Sequence, residues 1–133
     1  MPSPRYSIIA PVYNEADGLE AFYRRVVTVM EATGESWEVV LVNDGSRDAS
    51  PEIIRRLRAA DPRVRLVDLV RNFGHQIAVT AGLDASRGEA VMIIDSDLQD
   101  PPEVLPDLIA RWKEGYEVVY AQRKKILEGS DLK

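Results

Sequence analysis

Residues 92–105 read MIIDSDLQDPPEVL, so an apolar run leads directly into four acidic side chains within nine positions. Carboxylates repel one another, and each one costs free energy to desolvate unless a positive group lies between them. The stretch therefore has two interpretations. It is either a solvated turn followed by a helix cap, or a site where a metal ion holds an anionic ligand.

The composition is that of an ordinary globular protein with one hydrophobic core. Of the 133 residues, 45% are hydrophobic and 29% are charged, so we expect a single domain over residues 1–133. The net charge of −5 argues against nucleic-acid binding, which needs a basic surface. The absence of cysteine excludes disulfides and thiolate metal sites. We see neither a signal peptide nor an apolar run of membrane-spanning length.

Short β-branched runs alternate with longer amphipathic segments along the chain. The short runs predict five strands, over residues 6–12, 37–43, 64–70, 89–95 and 116–121. The longer segments predict four helices, over residues 19–32, 51–60, 76–86 and 102–114. This alternation predicts an α/β fold, a mostly parallel sheet with helices on both faces. Right-handed crossovers then bring every strand-to-helix loop to one edge of the sheet, where ligands of such folds bind.

Two of the predicted helices begin with residues typical of helix caps. Ser50 precedes Pro51, which predicts a serine cap followed by proline in the first turn. Asp100 precedes two prolines, with Glu103 at the position of a capping box. For Asp100 we prefer this structural role to a role in metal binding.

Alternate residues after the predicted fourth strand carry oxygen ligands. If the chain stays extended there, Asp95, Asp97 and Gln99 point to one side and present three oxygen atoms together. Oxygen ligands favour Mg²⁺ or Mn²⁺ over zinc, and such an ion keeps open positions that a diphosphate can fill. Taken alone, the triplet fits a solvated acidic turn equally well.

Two other predicted strands also end in polar residues. Asp44 in VNDGS is able to accept a hydrogen bond from a nucleotide base, and Gly45 lets the backbone turn closely. PVYNE places Pro11, Asn14 and Glu15 at the end of the first strand. Each motif in isolation also fits a plain turn or a loop with a helix cap.

The three strand ends together, PVYNE, NDGS and DSD, resemble those of the family 2 glycosyltransferases, which have the GT-A fold. Residues 71–109, RNFGHQIAVTAGLDASRGEAVMIIDSDLQDPPEVLPDLI, are similar to the polyprenyl-phosphate glycosyltransferases, the group that includes dolichol-phosphate mannosyltransferase and its bacterial relatives. The resemblance extends from about Tyr6 to Arg123. It implies a GT-A, Rossmann-like sheet that forms the nucleotide-binding half of a longer enzyme.

The resemblance also implies a role for each matching residue. It implies that the nucleotide pocket is formed by Pro11, Tyr13, Glu15, Asp44 and Asp95, and that Asp44 recognises the base. It assigns metal binding to Asp95, Asp97 and Gln99, and catalysis to the two aspartates among them. Phosphate binding falls to Arg123. His75 is interpreted as a residue that orders a helix start and is left out of the catalytic set.

The implied reaction is the inverting transfer of a sugar from a nucleoside diphosphate sugar, with UDP-glucose expected, to a polyprenyl phosphate. Its cofactor is Mg²⁺ or Mn²⁺. The family's chains continue into an acceptor-binding segment and membrane helices. We therefore expect a membrane association on the cytoplasmic face through regions outside this chain, donor binding without lipid transfer by the chain alone, and disorder over residues 124–133.

Two alternatives belong to other classes of protein. The first is a nucleotide-sugar-binding module without catalytic activity. The second is a phosphatase of the haloacid type, which also uses D-x-D after a strand. In that class the motif follows the first strand and precedes Thr or Val, whereas here Leu98 and Gln99 follow it after the fourth.

Overall fold

The computed structural model describes residues 3–115 and the backbone of residues 118–120. The strands are β1 (Tyr6–Val12), β2 (Trp37–Asp44), β3 (Val64–Leu69), β4 (Ala90–Ile93) and β5 (Val118–Tyr120). The helices are α1 (Leu19–Glu31), α2 (Ser50–Ala60), α3 (His75–Ala85), a 3-10 turn (Pro102–Val104) and α4 (Leu105–Lys113). The predictions for Arg123 and for residues 124–133 fall outside the described residues.

The five strands form one parallel sheet in the order β3-β2-β1-β4-β5. The chain runs outward from β1 through β2 to β3, then crosses back to β4 on the other side of β1. The strand order therefore reverses at β1, and its carboxyl end is where an open α/β sheet leaves a crevice for a ligand.

Helices cover both faces of the sheet, as predicted. One face of β1 contributes Tyr6, Ile8, Ala10 and Val12 to a core that it shares with α1, α2 and α4. The opposite face contributes Ile9 to a smaller core with Ala78 and Val79 of α3. A Cβ at Gly82 would lie 2.4 Å from a methyl carbon of Ile9, so α3 packs closely because this position is glycine. These two cores confirm the predicted α/β class.

Neither predicted cap residue, Ser50 or Asp100, occupies the cap position of its helix. Helix α2 begins at Ser50 itself, and the Ser50 hydroxyl accepts a hydrogen bond from the Glu15 amide at 3.0 Å instead of capping the helix. The 3-10 turn is preceded by Pro101 rather than Asp100, without a side-chain cap. Glu103 pairs with Arg25 of α1 at 2.5 Å. Across residues 3–115 and 118–120, none of the helices combines the length and apolarity needed to cross a bilayer.

Candidate functional site

A cleft of about 300 Å³ lies at the carboxyl edge of the sheet, over the ends of β1, β2 and β4. It brings together six of the predicted site residues: Pro11, Tyr13, Glu15, Asp44, Asp95 and Asp97. Residues that are 86 positions apart in the chain meet here because parallel strands end at the same edge. The cleft also includes Asn72, Gly74, Ser96 and His75, none of which was among the predicted site residues.

The loop after β1 is fixed by side chains from the loop after β2. Asn14 adopts a left-handed backbone conformation with φ of 55°, which turns the following amides toward the neighbouring loop. Three consecutive amides, of Asn14, Glu15 and Ala16, donate to the side chains of Ser46, Ser50 and Asp48 at 2.9, 3.0 and 3.0 Å. This network holds Glu15 in place at the cleft.

Asp44 is only 4% exposed, and its carboxylate lies under the loop that follows β3. It accepts hydrogen bonds from the Phe73 amide at 2.7 Å, the Gly74 amide at 3.1 Å and the Asn72 side chain at 3.3 Å. A carboxylate has about four acceptor positions, so about one remains for a ligand. The structure thus leaves room for the predicted contact with a base, which stays a prediction.

The chain does not stay extended after β4, so this part of the prediction is wrong. Leu98 has a φ of 67°, and the Asp97 carboxylate accepts a hydrogen bond from the Gln99 amide at 3.0 Å, which closes a tight turn. Asp95 and Asp97 line the cleft, while Gln99 is exposed outside the set of lining residues. Within residues 3–115, no group of three or more His, Cys, Asp or Glu side chains is arranged to hold a metal.

The cleft carries negative charge that its described lining does not offset. Four carboxylates and one histidine line it, and none of the lining residues described is lysine or arginine. Burial raises the pKa of Glu15, and repulsion from Asp97, Asp48 and Asp95 raises it further. Both causes disfavour the ionised form of Glu15, and none of the lining residues described offers it an opposite charge from lysine or arginine. The arrangement fits the binding of a cation.

His75 is a cleft residue whose role the sequence interpretation misplaced. It is the first residue of α3, but Gly74 occupies the cap position and no side chain caps the helix. The imidazole instead reaches across the cleft, with Nε2 at 3.2 Å from Oδ1 of Asp95. The sequence could have indicated a cleft position for His75, because it lies in the third strand-to-helix loop and all such loops converge on this edge of the sheet.

Residues 7–133 match the family model described as glycosyl transferase family 2. The chain belongs to glycosyltransferase family 2. It is 54% identical over 121 residues to the uncharacterized glycosyltransferase YkcC of Bacillus subtilis, a match that covers 91% of this chain and 38% of that protein. It is 44% identical over 119 residues to the bactoprenol glucosyl transferase of Shigella phage SfV, covering 90% of this chain and 39% of the relative.

Solved structures share the fold. The mannosyltransferase PcManGT of Pyrobaculum calidifontis, in complex with GDP-Man and Mn²⁺, superposes with a TM-score of 0.66 at 27% identity. The superposition covers 84% of this chain and 33% of that one. These findings confirm the GT-A fold and the predicted group of polyprenyl-phosphate glycosyltransferases, and they favour a transferase over a haloacid-type phosphatase. The chain spans about two fifths of the length of its curated relatives.

Proposed function

We propose that this chain forms the donor site of a metal-dependent inverting glycosyltransferase. The donor is a nucleoside diphosphate sugar, with UDP-glucose as the first candidate, and the acceptor is a polyprenyl phosphate. The family and the bactoprenol glucosyl transferase relative support the reaction class. The observation that carries the proposal is the cleft in which Glu15, Asp95 and Asp97 gather negative charge beside the buried Asp44.

Asp95 and Asp97 would hold Mg²⁺ or Mn²⁺. Two carboxylates are enough, because Mg²⁺ is usually bound through one or two of them, with water and substrate phosphates completing its shell. When bound, the ion would supply positive charge that stabilises the departing diphosphate. Gln99 as a third ligand and Arg123 as a phosphate contact remain predictions.

The donor would lie across the point where the strand order reverses. Its base would face Asp44 at the end of β2, with Pro11 and Tyr13 at the wall of the cleft and the diphosphate near Asp95. A phosphate acceptor is already ionised near neutral pH, so the transfer does not require a general base. These side chains therefore act by positioning the donor and by stabilising its leaving group.

A panel of nucleoside diphosphates tests the donor class directly. UDP at a hundred times its Kd, with Mn²⁺ present, should stabilise the chain by about 2.7 kcal/mol. For a chain of this size that corresponds to a rise of about 10 °C in Tm. A larger rise in Tm with GDP than with UDP would mean that the donor carries guanine instead of uracil, and the proposed donor class would stand. If none of the diphosphates raises Tm, the proposed donor site is wrong.

A transfer assay separates donor binding from catalysis by this chain. The chain is incubated with UDP-glucose, Mn²⁺ and a short polyprenyl phosphate, and the glycolipid is measured by mass spectrometry. We expect donor binding without transfer, because holding the acceptor in line can supply roughly 7–11 kcal/mol of barrier reduction. Repeated turnover to glycolipid would show that these residues also position the acceptor.

A further inference from the structure

Residues 72–75, called here the bridging segment, connect β3 to α3 and cross the cleft between Asp44 and Asp95. At one end the segment is tied to Asp44. Two of its backbone amides donate to the Asp44 carboxylate at 2.7 and 3.1 Å. The Asn72 side chain also donates to the Asp44 backbone carbonyl at 3.1 Å. The Asp44 carboxylate, proposed above to contact the base, is therefore oriented by this segment.

The segment packs directly on the turn that follows Asp44. A Cβ at Gly45 would lie 2.2 Å from the backbone nitrogen of Asn72, a separation that real side chains do not adopt. Gly45 also has a φ of 73°, which favours glycine. Because no space separates the turn from the segment, a displacement of one displaces the other.

At its other end the segment is tied to Asp95 and to a helix that cannot shift freely. His75 places Nε2 at 3.2 Å from Oδ1 of Asp95. The Gly74 carbonyl accepts the first helical hydrogen bond, from the Ala78 amide at 3.0 Å. Ala78 is fully buried against the sheet, so the backbone of His75 is anchored although its side chain is 63% exposed.

We propose that His75 is a positioning residue for Asp95, and that the bridging segment couples base recognition at Asp44 to cation binding at Asp95. The imidazole contact occupies Oδ1 of Asp95 and would leave Oδ2 available to a bound cation. Hydrogen bonds of this kind orient metal-binding carboxylates, and their loss typically lowers metal affinity by about 10–100-fold. The proposal rests on the proposed function of the cleft.

Uridine is the probe that isolates the coupling, because it has no phosphate with which to contact the cation. Its affinity is measured by calorimetry with and without Mn²⁺. Coupling is reciprocal and typically about 5–150-fold between two sites. We expect Mn²⁺ to raise uridine affinity about fivefold in the wild type, at the low end of that range. In His75→Ala the gain should vanish, while uridine affinity without Mn²⁺ stays at the wild-type value.

Direct Mn²⁺ titration by electron paramagnetic resonance gives a second readout that needs no nucleotide. His75→Ala should bind Mn²⁺ about tenfold more weakly than the wild type. His75→Gln should retain the affinity, because its side-chain amide can donate from about the position of Nε2. Gln76→Ala is the matched control, an exposed neighbour on the same helical turn, and should behave as the wild type does.

The outcomes distinguish this inference from the proposed function. If UDP binding requires Mn²⁺ but Mn²⁺ leaves wild-type uridine affinity unchanged, the coupling is wrong and the donor site stands. Equal Mn²⁺ affinity in His75→Ala and the wild type contradicts the positioning role. Equal loss in His75→Ala and His75→Gln also contradicts it, since a directly ligating histidine would behave that way. If UDP does not bind at all, the proposed function itself fails.

Discussion

Two glutamates at opposite edges of the sheet, Glu38 and Glu15, lie in opposite electrostatic surroundings. At the amino edge, Glu38 of β2 is 2% exposed and accepts hydrogen bonds from Ser7 at 2.6 Å, the Arg87 amide at 2.8 Å and Arg65 at 3.1 Å. Burial alone would raise its pKa, but these donors and the charge of Arg65 hold the pKa of Glu38 below its ordinary value. Its charge is offset within the fold.

At the carboxyl edge, Glu15 meets the opposite surroundings. Burial and the neighbouring carboxylates of Asp97, Asp48 and Asp95 raise its pKa. The amino edge has the larger cleft, about 510 Å³ against about 300 Å³, yet its arginines pair with its own acids, as Arg63 does with Asp61 at 2.9 Å. The comparison indicates that charge compensation, rather than cleft size, distinguishes the stabilising cluster around Glu38 from the proposed binding site around Glu15.

The largest effect is expected at the amino edge, where Glu38→Ala removes the centre of the compensated cluster. Its removal leaves the Ser7 hydroxyl, the Arg87 amide and Arg65 without their common acceptor, and each unsatisfied donor costs about 1–3 kcal/mol, so the free energy of unfolding should fall by about 3 kcal/mol or more. Urea denaturation at neutral pH measures it. Glu103→Ala, which breaks an exposed pair with Arg25, is the control and should leave the midpoint nearly unchanged.

The same variant predicts a pH dependence. Because the folded pKa of Glu38 is lowered, its stabilisation is present above the ordinary glutamate pKa of about 4.3 and is lost as pH falls through the folded value. Glu38→Ala should therefore show less acid destabilisation than the wild type. A loss under about 1 kcal/mol at neutral pH would show that the cluster is not what stabilises this edge.

Asp44 is the cleft carboxylate that resembles Glu38, because it is buried and hydrogen-bonded within the chain. Its loss should therefore affect both folding and binding. In Asp44→Ala the amides of the bridging segment lose their acceptor, which should cost about 1–3 kcal/mol in unfolding experiments. Calorimetry should show uridine and UDP weakened alike, by about 1–3 kcal/mol. If Asp44→Ala binds uridine as tightly as the wild type does, Asp44 does not contact the base and has only a structural role in the turn.

The smallest effect has the opposite sign. The raised pKa of Glu15 means that the folded state binds its proton more tightly than the unfolded state does, so stability falls as pH rises through that pKa. Glu15→Gln removes this cost and should be more stable at pH 7 by about 0.5 kcal/mol. Denaturation series at several pH values should show the gain disappear below about pH 4.3, where the wild-type glutamate is protonated. If Glu15→Gln is less stable than the wild type at pH 7, the ionised Glu15 does not destabilise the fold and the contrast with Glu38 is wrong.

The sequence predicts the sheet and most of the cleft because both follow from local patterns. Strand and helix periodicity, together with the parallel order, is enough to bring Glu15, Asp44 and Asp95 to one edge. The position of Gln99 was wrong because it depends on Leu98, and leucine rarely adopts a positive φ. The residue types around Leu98 therefore do not predict this turn.

The roles of Ser50 and His75 escaped prediction for a different reason. Ser50 carries a local cap signal, but its hydroxyl is taken by the amide of Glu15, 35 residues away in the chain. His75 meets Asp95 across 20 residues, in a contact that exists only once β3 and β4 have taken their places on opposite sides of β1. Contacts of this kind are set by tertiary structure.

The central claim is that the uncompensated carboxylates bind a nucleoside diphosphate through a divalent cation. Calorimetric titration of UDP with Mn²⁺, and again with EDTA in its place, tests this most directly. Loss of a charged contact of about 1.5–3 kcal/mol corresponds to roughly 10–100-fold, so EDTA should weaken UDP by at least about tenfold. Asp97→Asn in the presence of Mn²⁺ should show a comparable loss. Equal UDP affinity with Mn²⁺ and with EDTA would contradict the account.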